Sequence, residues 1–216
     1  MRFKIAVIGA GGIGSNLLRI IAPALSQNKL SRRLGGIDVS IFDSDKVEVE
    51  NLHHQGYSYS EVGEHKVNAL ANCLRKFESD FLQFTPIQKD VKGSTRLEQF
   101  NLVVVCVDSS FARLITHSKC PIWLDLRCRG DNYIALDSSV DNEILNSLTD
   151  PNQKAGSCQF ENAVETGNIQ FGNVAAAVFG CQWIIQHLRT VMDEKNSMHP
   201  KIRCESITFG TLRRYI

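Results

Sequence analysis

Lys4-Ile5-Ala6-Val7-Ile8-Gly9-Ala10-Gly11-Gly12-Ile13-Gly14-Ser15-Asn16-Leu17-Leu18 is the stretch of sequence that decides the fold. An apolar run leads through four glycines into an amphipathic pattern, which predicts a strand, a tight turn and a helix. The N–H groups at the start of such a helix, together with its positive dipole end, can bind a phosphate. The glycine spacing also occurs in dinucleotide-dependent dehydrogenases, so by itself it does not identify one nucleotide-binding fold.

Length and composition favour one globular domain. The chain has 216 residues, of which 43% are hydrophobic and 22% are charged, and its formal net charge is +1. Such a chain can build one large core, and the charge argues against a nucleic-acid partner. The sequence contains no signal peptide and no apolar stretch long enough to span a bilayer, so we expect a cytoplasmic protein without a membrane partner. The seven cysteines include no C-x-x-C pair, which predicts free thiols and no zinc site.

Apolar runs alternate with helical patterns along the rest of the chain. We expect further strands over residues 37–42, 81–87, 102–107, 121–126, 132–138 and 201–209. We expect helices after the glycine turn, from about residue 64, over 94–100 and 111–118, and before the last strand. Pro23 is expected to bend or end the first helix. This order predicts an α/β, Rossmann-like fold, with a mostly parallel sheet flanked by helices and antiparallel strands at the C-terminal side.

Acidic residues follow two of the expected strands. Asp43 and Asp45 come after residues 37–42, and Asp108 follows residues 102–107. The carboxyl ends of parallel strands border the ligand crevice of an open α/β sheet. Asp43 could therefore bind ribose hydroxyls or lie in a solvated turn, and Asp108 could bind magnesium or cap the next helix.

A long polar stretch from Lys46 to Gly63 precedes Lys66, which lies at the start of a helix. Long loops inside a domain are usually functional. A cation in the first turn of a helix is disfavoured by the helix dipole, which makes an anionic partner for Lys66 plausible beside the alternative of a solvated surface lysine. A second polar, turn-rich segment, residues 139–160, is expected to cross the molecule as a loop.

The order of these motifs resembles the ThiF/MoeB superfamily, the adenylating domains related to ubiquitin-activating enzymes. The motifs are Gly9-Ala10-Gly11-Gly12-Ile13-Gly14, Asp43-Ser44-Asp45, Asn51-Leu52-His53-His54-Gln55, Val62-Gly63-Glu64-His65-Lys66 and Val107-Asp108. The resemblance implies one ThiF-like adenylation domain over residues 1–216, with the crossing loop at 139–160. It also implies that the C-terminal glycine carboxylate of a ubiquitin-like or sulfur-carrier protein attacks the α-phosphate of ATP, giving an acyl-adenylate and pyrophosphate.

The resemblance also implies roles for individual residues. Gly9, Gly11, Gly12 and Gly14 would form the phosphate turn, Asp43 and Asp45 would bind the nucleotide, with Asp43 on the ribose, and Asn51, Gln55 and Lys66 would hold phosphates. Lys66 and Asp108 would be catalytic, with Asp108 on Mg²⁺.

Two further residues are catalytic candidates. His54 stands where the family's loop normally has arginine, and histidine is neutral near pH 7 unless its pKa is raised. Several relatives pass the activated carboxyl to a cysteine in the crossing segment, where this chain has Cys158. Cys158 is therefore a candidate for thioester formation, with an incidental thiol as the alternative. Cys106 and Cys181 are explained as core residues.

The resemblance implies a homodimer, or a heterodimer with a relative. Two other functions remain open. One is a non-catalytic partner subunit, favoured by His54 and by the expected lack of an N-terminal arginine segment. The other is adenylation of a modified tRNA base, which the near-neutral charge disfavours.

Overall fold

An eight-stranded sheet with the order β3-β2-β1-β4-β5-β6-β7-β8 runs through the computed structural model, which describes residues 2–27, 29–150, 156 and 158–213. The strands are β1 (Phe3–Ile8), β2 (Ile37–Phe42), β3 (Leu82–Ile87), β4 (Leu102–Val105), β5 (Trp123–Arg129), β6 (Asn132–Asp137), β7 (Arg203–Ser206) and β8 (Gly210–Arg213). The pairs from β3 to β5 are parallel and those from β5 to β8 are antiparallel. The expected fold class is confirmed.

Helices cover both faces of the sheet. They are α1 (Gly12–Gln27), α2 (Lys29–Arg33), α3 (Lys66–Leu74), α4 (Ser110–Lys119), α5 (Asn142–Leu148) and α6 (Gly172–Val191). Apolar residues of α1, α3 and α6 form the larger core cluster against one face, and α4 packs in a smaller cluster against the other. No helix in the described part of the chain is long and apolar enough to cross a membrane.

The chain reverses its direction of strand addition at β1. Val7 on β1 pairs with Ile41 on β2 at one side and with Val104 on β4 at the other. The connections that leave β1 and β4 therefore diverge to opposite faces, which opens a crevice at the carboxyl ends of these two strands. The glycine turn lies at this edge of the sheet.

Three of the expected helices and strands need correction. Helix α1 does not end at Pro23 but continues to Gln27, with the proline exposed on its solvent side. The expected helix over 94–100 is a single 3₁₀ turn, Leu97–Gln99. The expected strand over 201–209 is instead the hairpin of β7 and β8, whose turn is held by Asp131: its carboxylate accepts the Ser206 hydroxyl at 2.7 Å and the Thr208 N–H at 3.2 Å.

The segment 139–160 is not an open loop throughout. It contains helix α5, whose N-cap Asp141 accepts a hydrogen bond from the Glu143 N–H at 2.7 Å. Residues 151–155 and 157, which complete this predicted crossing segment, lie outside the described residues.

Helix α6 packs closely on α1 and β5 at Gly180, where a Cβ would lie 2.6 Å from Leu126 Cδ1 and 2.7 Å from Leu17 Cδ1. Gly180→Val overfills this contact, so we expect it to lower the free energy of unfolding by about 1–3 kcal/mol. Urea unfolding followed by circular dichroism measures the change.

Gly93→Ala is the matched control, because a Cβ at Gly93 would meet nothing within 4 Å. Its effect should stay within about 0.5 kcal/mol. Equal stability of the Gly180 and Gly93 variants would contradict the close packing of α6 on α1.

Candidate functional site

The glycine turn brings β1, α1 and the end of β4 into contact. Gly9 has a φ of +102°, and a Cβ there would lie 2.7 Å from Val107 Cγ1. A Cβ on Gly14 would overlap the carbonyl oxygen of Gly9. A Cβ on Gly11 would be only in ordinary contact, with Gln55 Oε1 at 4.0 Å. The first N–H groups of α1 lie at this edge of the sheet, beside the end of β4.

Asp43 fixes the shape of this turn. Its Oδ2 accepts the Ala10 N–H at 2.7 Å and its Oδ1 accepts the Asp45 N–H at 2.8 Å. Burial raises the pKa of Asp43, while these two N–H groups and the charge of Lys66 act in the opposite direction. Asp43 thus holds backbone with both carboxylate oxygens at the carboxyl ends of β1 and β2. Its expected contact with ribose stays a prediction.

Lys66 carries a buried positive charge into the same crevice. Its side chain is 9% exposed, and Nζ lies 3.0 Å from Asp45 Oδ2, a carboxylate that is 65% exposed. The Lys66 N–H also donates to the Asp45 carbonyl at 2.9 Å. The alternative of a solvated surface lysine is therefore wrong.

Tyr57 ties helix α3 to the glycine turn and was not singled out in the sequence. Its hydroxyl lies 2.6 Å from the Ala10 carbonyl, to which it donates, and 3.3 Å from the Lys66 carbonyl. The guanidinium of Arg19 lies 5.5 Å from the ring centroid. Burial raises the pKa of Tyr57, so the hydroxyl stays protonated as a donor.

The loop before Lys66 places its polar side chains differently. Asn51 Oδ1 accepts the Glu48 N–H at 3.0 Å and so closes the 3₁₀ turn Val49–His53. The loop is tied to α1 because the Ser15 hydroxyl donates to the Gln55 carbonyl at 2.6 Å. Asn51 thus holds the loop together, and its expected phosphate contact stays a prediction.

His54 is a half-buried, uncharged group. Burial lowers its pKa, and the charges of His53 and Lys66 lower it further. It is therefore neutral at pH 7 and does not supply the positive charge of an arginine.

Asn173, at the start of α6, joins this loop to helix α1. Its Nδ2 donates to the His54 carbonyl at 2.9 Å and lies 3.3 Å from the Gly12 carbonyl. Asn173 is 1% exposed, so these bonds are shielded from water. Nothing in the sequence pattern linked Asn173 to the glycine turn 160 residues earlier.

Among the residues that the structure describes, several buried polar atoms near the glycine turn have no hydrogen-bond partner. They include Gln55 Oε1, His54 Nδ1 and Asn173 Oδ1. Buried polar groups normally have partners, and unpaired ones need an explanation. The two amide oxygens accept hydrogen bonds and so need a donor, whereas the buried ammonium of Lys66 suits an anionic group.

Asp108 lies at the carboxyl end of β4, next to Val107 and the glycine turn. Helix α4 is capped by Ser109, whose Oγ accepts the Ala112 N–H at 3.4 Å, so the alternative of Asp108 as N-cap is wrong. Arg113 holds the backbone here, with Nη2 2.7 Å from the Val107 carbonyl and Nη1 3.3 Å from the Asp108 carbonyl. The carboxylate of Asp108 remains exposed.

Arg113 is itself held by Asp125, a fully buried carboxylate on β5. Asp125 lies 3.4 Å from Arg113 Nε, 3.1 Å from His117 Nε2 and 2.7 Å from Arg127 Nη2. Burial alone would raise the pKa of Asp125, but the hydrogen bonds from His117 and Arg127 and the charges of both arginines lower it to about 2. This ion cluster anchors the backbone that carries Asp108.

A cavity of about 460 Å³ lies beside Asp108, between the ends of β5 and β6 and the crossing segment. Its wall includes Arg113, Arg127, Cys128 and Arg129. Cys158 is half-buried, and the neighbouring Cys128 thiol lowers its pKa, while burial and the charge of Asp108 act in the opposite direction. Cys106 and Cys181 are buried, as expected for core residues.

Known proteins were compared with the whole chain. The model of the ThiF family matches residues 1–201. Ubiquitin-like modifier-activating enzyme 5 of Gallus gallus is 27% identical over 57% of this chain and 33% of that protein. The adenylyltransferase and sulfurtransferase MOCS3 of Culex quinquefasciatus is 28% identical over 88% of this chain and 41% of that protein. The chain thus spans between a third and two fifths of these relatives.

Solved structures share the fold. The crystal structure of PaaA superposes with a TM-score of 0.64 at 17% identity, covering 95% of this chain and 61% of that one. The structure of E. coli MccB with ATP gives a TM-score of 0.61 at 16% identity and covers 97% of this chain and 64% of that one. Both likenesses support the α/β architecture.

Asp125→Asn should destabilise the protein, because Arg113 and Arg127 lose their buried counter-charge. We expect a loss of about 3–5 kcal/mol at pH 7. Since the folded pKa of Asp125 is depressed, its contribution is present above the unfolded pKa and is lost as the pH falls toward about 2. Wild-type stability should therefore decline by about 2 kcal/mol more than that of the variant between about pH 4 and pH 2. Urea unfolding across this range measures both effects.

Asp38→Asn serves as the control, because Asp38 pairs with Arg2 at 2.7 Å near the surface. That change should cost less than about 1 kcal/mol. Identical acid profiles for wild type and Asp125→Asn would contradict the anchoring role of Asp125.

Proposed function

The chain belongs to the ThiF family, and we propose that it uses ATP to adenylate the C-terminal glycine carboxylate of a ubiquitin-like or sulfur-carrier protein, releasing pyrophosphate. The names of two relatives support this proposal, one being a ubiquitin-like modifier-activating enzyme and the other an adenylyltransferase. A structural neighbour, MccB, was solved with ATP.

One observation carries the proposal. The glycine turn, Asp43 and Asp45, and Asp108 follow the carboxyl ends of the adjacent parallel strands β1, β2 and β4, and Lys66 at the start of α3 lies 3.0 Å from Asp45. A buried ammonium and the N-terminal end of a helix would thus lie at the edge of the sheet where we place the phosphates. A triphosphate matches this charge pattern.

The proposed reaction needs position and charge neutralisation more than a strong nucleophile. A carboxylate oxygen attacks the α-phosphorus, and the bond from that phosphorus to the oxygen bridging to the β-phosphate breaks. The electron pair leaves with pyrophosphate, and no proton is transferred. Lys66 and the N–H groups that open α1 stabilise the negative charge that develops on the phosphates.

Magnesium is part of this proposal, and Asp108 is the residue that would hold it. The exposed carboxylate at the end of β4 is a suitable oxygen ligand. In the part of the chain that the structure describes, no group of three or more His, Cys, Asp or Glu residues could hold a metal. Phosphate oxygens and water would therefore complete the coordination, as is usual for Mg²⁺. The bound ion would neutralise charge on the phosphates.

A second step of the proposal transfers the acyl group to Cys158. Its thiolate would attack the acyl carbon of the adenylate, and AMP would leave with the bonding pair. Support comes from its position near Asp108 and from its pKa, which the hydrogen bond from Cys128 and the charge of Arg113 lower against burial and the charge of Asp108.

We further propose a cytoplasmic location and a dimer, either of two copies or with a relative. A non-catalytic partner subunit is the second candidate function, because His54 is neutral where an arginine would neutralise phosphate charge. The buried Lys66 favours the catalytic proposal over this one.

Lys66→Ala should abolish ATP–pyrophosphate exchange in the presence of a candidate carrier protein ending in glycine. Loss of a charge-assisted contact should also raise the Kd for ATP with magnesium at least about tenfold, or about 1.4 kcal/mol. Isotope exchange and titration calorimetry make these measurements.

Lys46→Ala is the control, because Lys46 is exposed and lies in the same loop. It should retain both exchange and affinity. Normal ATP affinity without exchange in the wild type would favour the partner subunit, and exchange that depends on tRNA would favour the modified-base substrate. Unchanged exchange in Lys66→Ala would remove Lys66 from the site.

Asn173→Ala should weaken ATP binding without unfolding the protein. The variant loses the hydrogen bonds that hold α6 to the Gly12 and His54 carbonyls, so the loop and the glycine turn are no longer fixed to each other. We expect the Kd to rise about tenfold, as two neutral hydrogen bonds would account for. Gln182→Ala, an exposed change on the same helix, should leave the Kd unaltered. Equal affinities for the two variants would contradict this role.

A further inference from the structure

Two half-buried cysteines from distant parts of the chain face each other. Cys128 lies near the end of β5, and Cys158 lies near the end of the crossing segment. Both are free thiols, and their interaction raises the pKa of Cys128 and lowers that of Cys158. A disulfide needs the two residues to lie close together, and residue 158 is bonded to the turn that follows Cys128.

The backbone around Cys158 is hydrogen-bonded to, and packed against, the turn between β5 and β6. The Gly130 N–H donates to the Cys158 carbonyl at 2.8 Å, and the ring of Phe160 fills the space where a side chain at Gly130 would lie. The Arg129 guanidinium lies 5.9 Å from the Phe160 ring centroid. These contacts hold residue 158 beside the turn that follows Cys128, and none of them involves a thiol.

The residue that follows Cys158 is also held by hydrogen bonds. The side chain of Gln159 makes two hydrogen bonds to the backbone of Gln170, at 2.7 Å and 2.9 Å. Gln159 is 6% exposed, so these bonds are buried. The position of residue 158 beside the turn after β5 is therefore fixed by contacts on both of its sides.

The chemical environment makes Cys158 the reactive member of the pair. Burial raises the pKa of Cys106, of Cys120 to about 11 and of Cys181 to about 12, so these thiols are poor nucleophiles at neutral pH. The Cys128 thiol instead donates a hydrogen bond that lowers the pKa of Cys158. Cys128 keeps its own proton, and its pKa is raised by the same bond and by burial.

We propose that Cys128 and Cys158 form a reversible intramolecular disulfide by exchange with low-molecular-weight disulfides such as oxidised glutathione. The Cys158 thiolate attacks one sulfur of oxidised glutathione, and one glutathione thiolate leaves. Cys128, on losing its proton, attacks the Cys158 sulfur of the mixed disulfide, and the second glutathione thiolate leaves. The protein loses two electrons and two protons, and two molecules of reduced glutathione are formed.

This site is independent of adenylation, because the exchange consumes neither ATP nor a carrier protein. Under the proposed function it has a consequence at the same cavity: the disulfide removes Cys158 as an acyl acceptor while Lys66 and Asp108 are untouched. Oxidised protein should then keep pyrophosphate exchange and lose acyl transfer to Cys158.

The test is oxidation of the full chain with oxidised glutathione, followed by alkylation and digestion with trypsin and Glu-C without reduction. Cleavage after Arg127, Arg129, Lys154 and Glu161 isolates residues 128–129 and 155–161, each with a single cysteine. We expect these two peptides to be linked, and the intact protein to have lost two hydrogen atoms. Reduced glutathione should reverse the linkage.

Variants separate the two roles. In Cys128→Ser the reaction should stop at a mixed disulfide between glutathione and residue 158. Release of the second glutathione should be slowed at least about tenfold. Cys158→Ser should lose the rapid first step. Cys73→Ser, at a half-buried thiol whose sulfur lies 3.3 Å from Arg19 Nη1, should form the same linkage as the wild type.

Oxidation of the wild-type protein tests the disulfide proposal even if a variant fails to fold. Retention of both thiols while Cys73 becomes modified would overturn the proposal, as would linkage of either peptide to any other cysteine. Loss of two hydrogen atoms in Cys128→Ser would equally assign the disulfide to another pair.

Discussion

The site depends on the absence of side chains where β1 turns into α1. A Cβ on Gly14 would overlap the Gly9 carbonyl, and one on Gly9 would press on Val107 at the end of β4. Because the backbone can form this tight turn, the Asp43 carboxylate, at the end of β2, accepts a hydrogen bond from the Ala10 N–H. The same approach leaves the first N–H groups of α1 open to the crevice. One steric constraint thus brings together the strand ends from which the polar side chains project.

The buried carboxylate of Asp125 fixes the backbone on the other side of the crevice, at the end of β4. Asp125 would be costly without partners, and it has three in His117, Arg113 and Arg127. Arg113, held by Asp125, donates hydrogen bonds to the Val107 and Asp108 carbonyls. Arg127, also held by Asp125, donates to the Leu148 carbonyl and, at 2.8 Å, to Thr149 Oγ1. A single carboxylate therefore fixes both the backbone beneath Asp108 and the middle of the crossing segment, at residues 148 and 149. Its polar bonds give this edge of the sheet a defined geometry that apolar packing alone would not impose.

Sequence reasoning reached the parts of the site that depend on local backbone geometry. The glycine turn, the acidic strand ends and Lys66 follow from periodicity, from glycine sterics and from the helix dipole. It missed Tyr57, Asn173 and the Asp125 cluster, because their partners lie far away in sequence and only the packing of α3, α6 and α4 brings them near. Pro23 was misjudged for a similar reason: on an exposed helix face the missing N–H costs less than the packing of α1 against the sheet gains.

The crossing segment is held by β5 and by the turn that follows it. Arg127 binds the segment at Leu148 and Thr149, and the Gly130 N–H binds it at Cys158. A disulfide across an otherwise free loop of about 30 residues would be worth about 3 to 4 kcal/mol of chain entropy in the unfolded state. In the folded state it adds a covalent bond where non-covalent contacts already fix the ends, so the fold need not change when the bond forms or breaks. Oxidation at this position would therefore alter the chemistry of Cys158 while the rest of the site keeps its geometry.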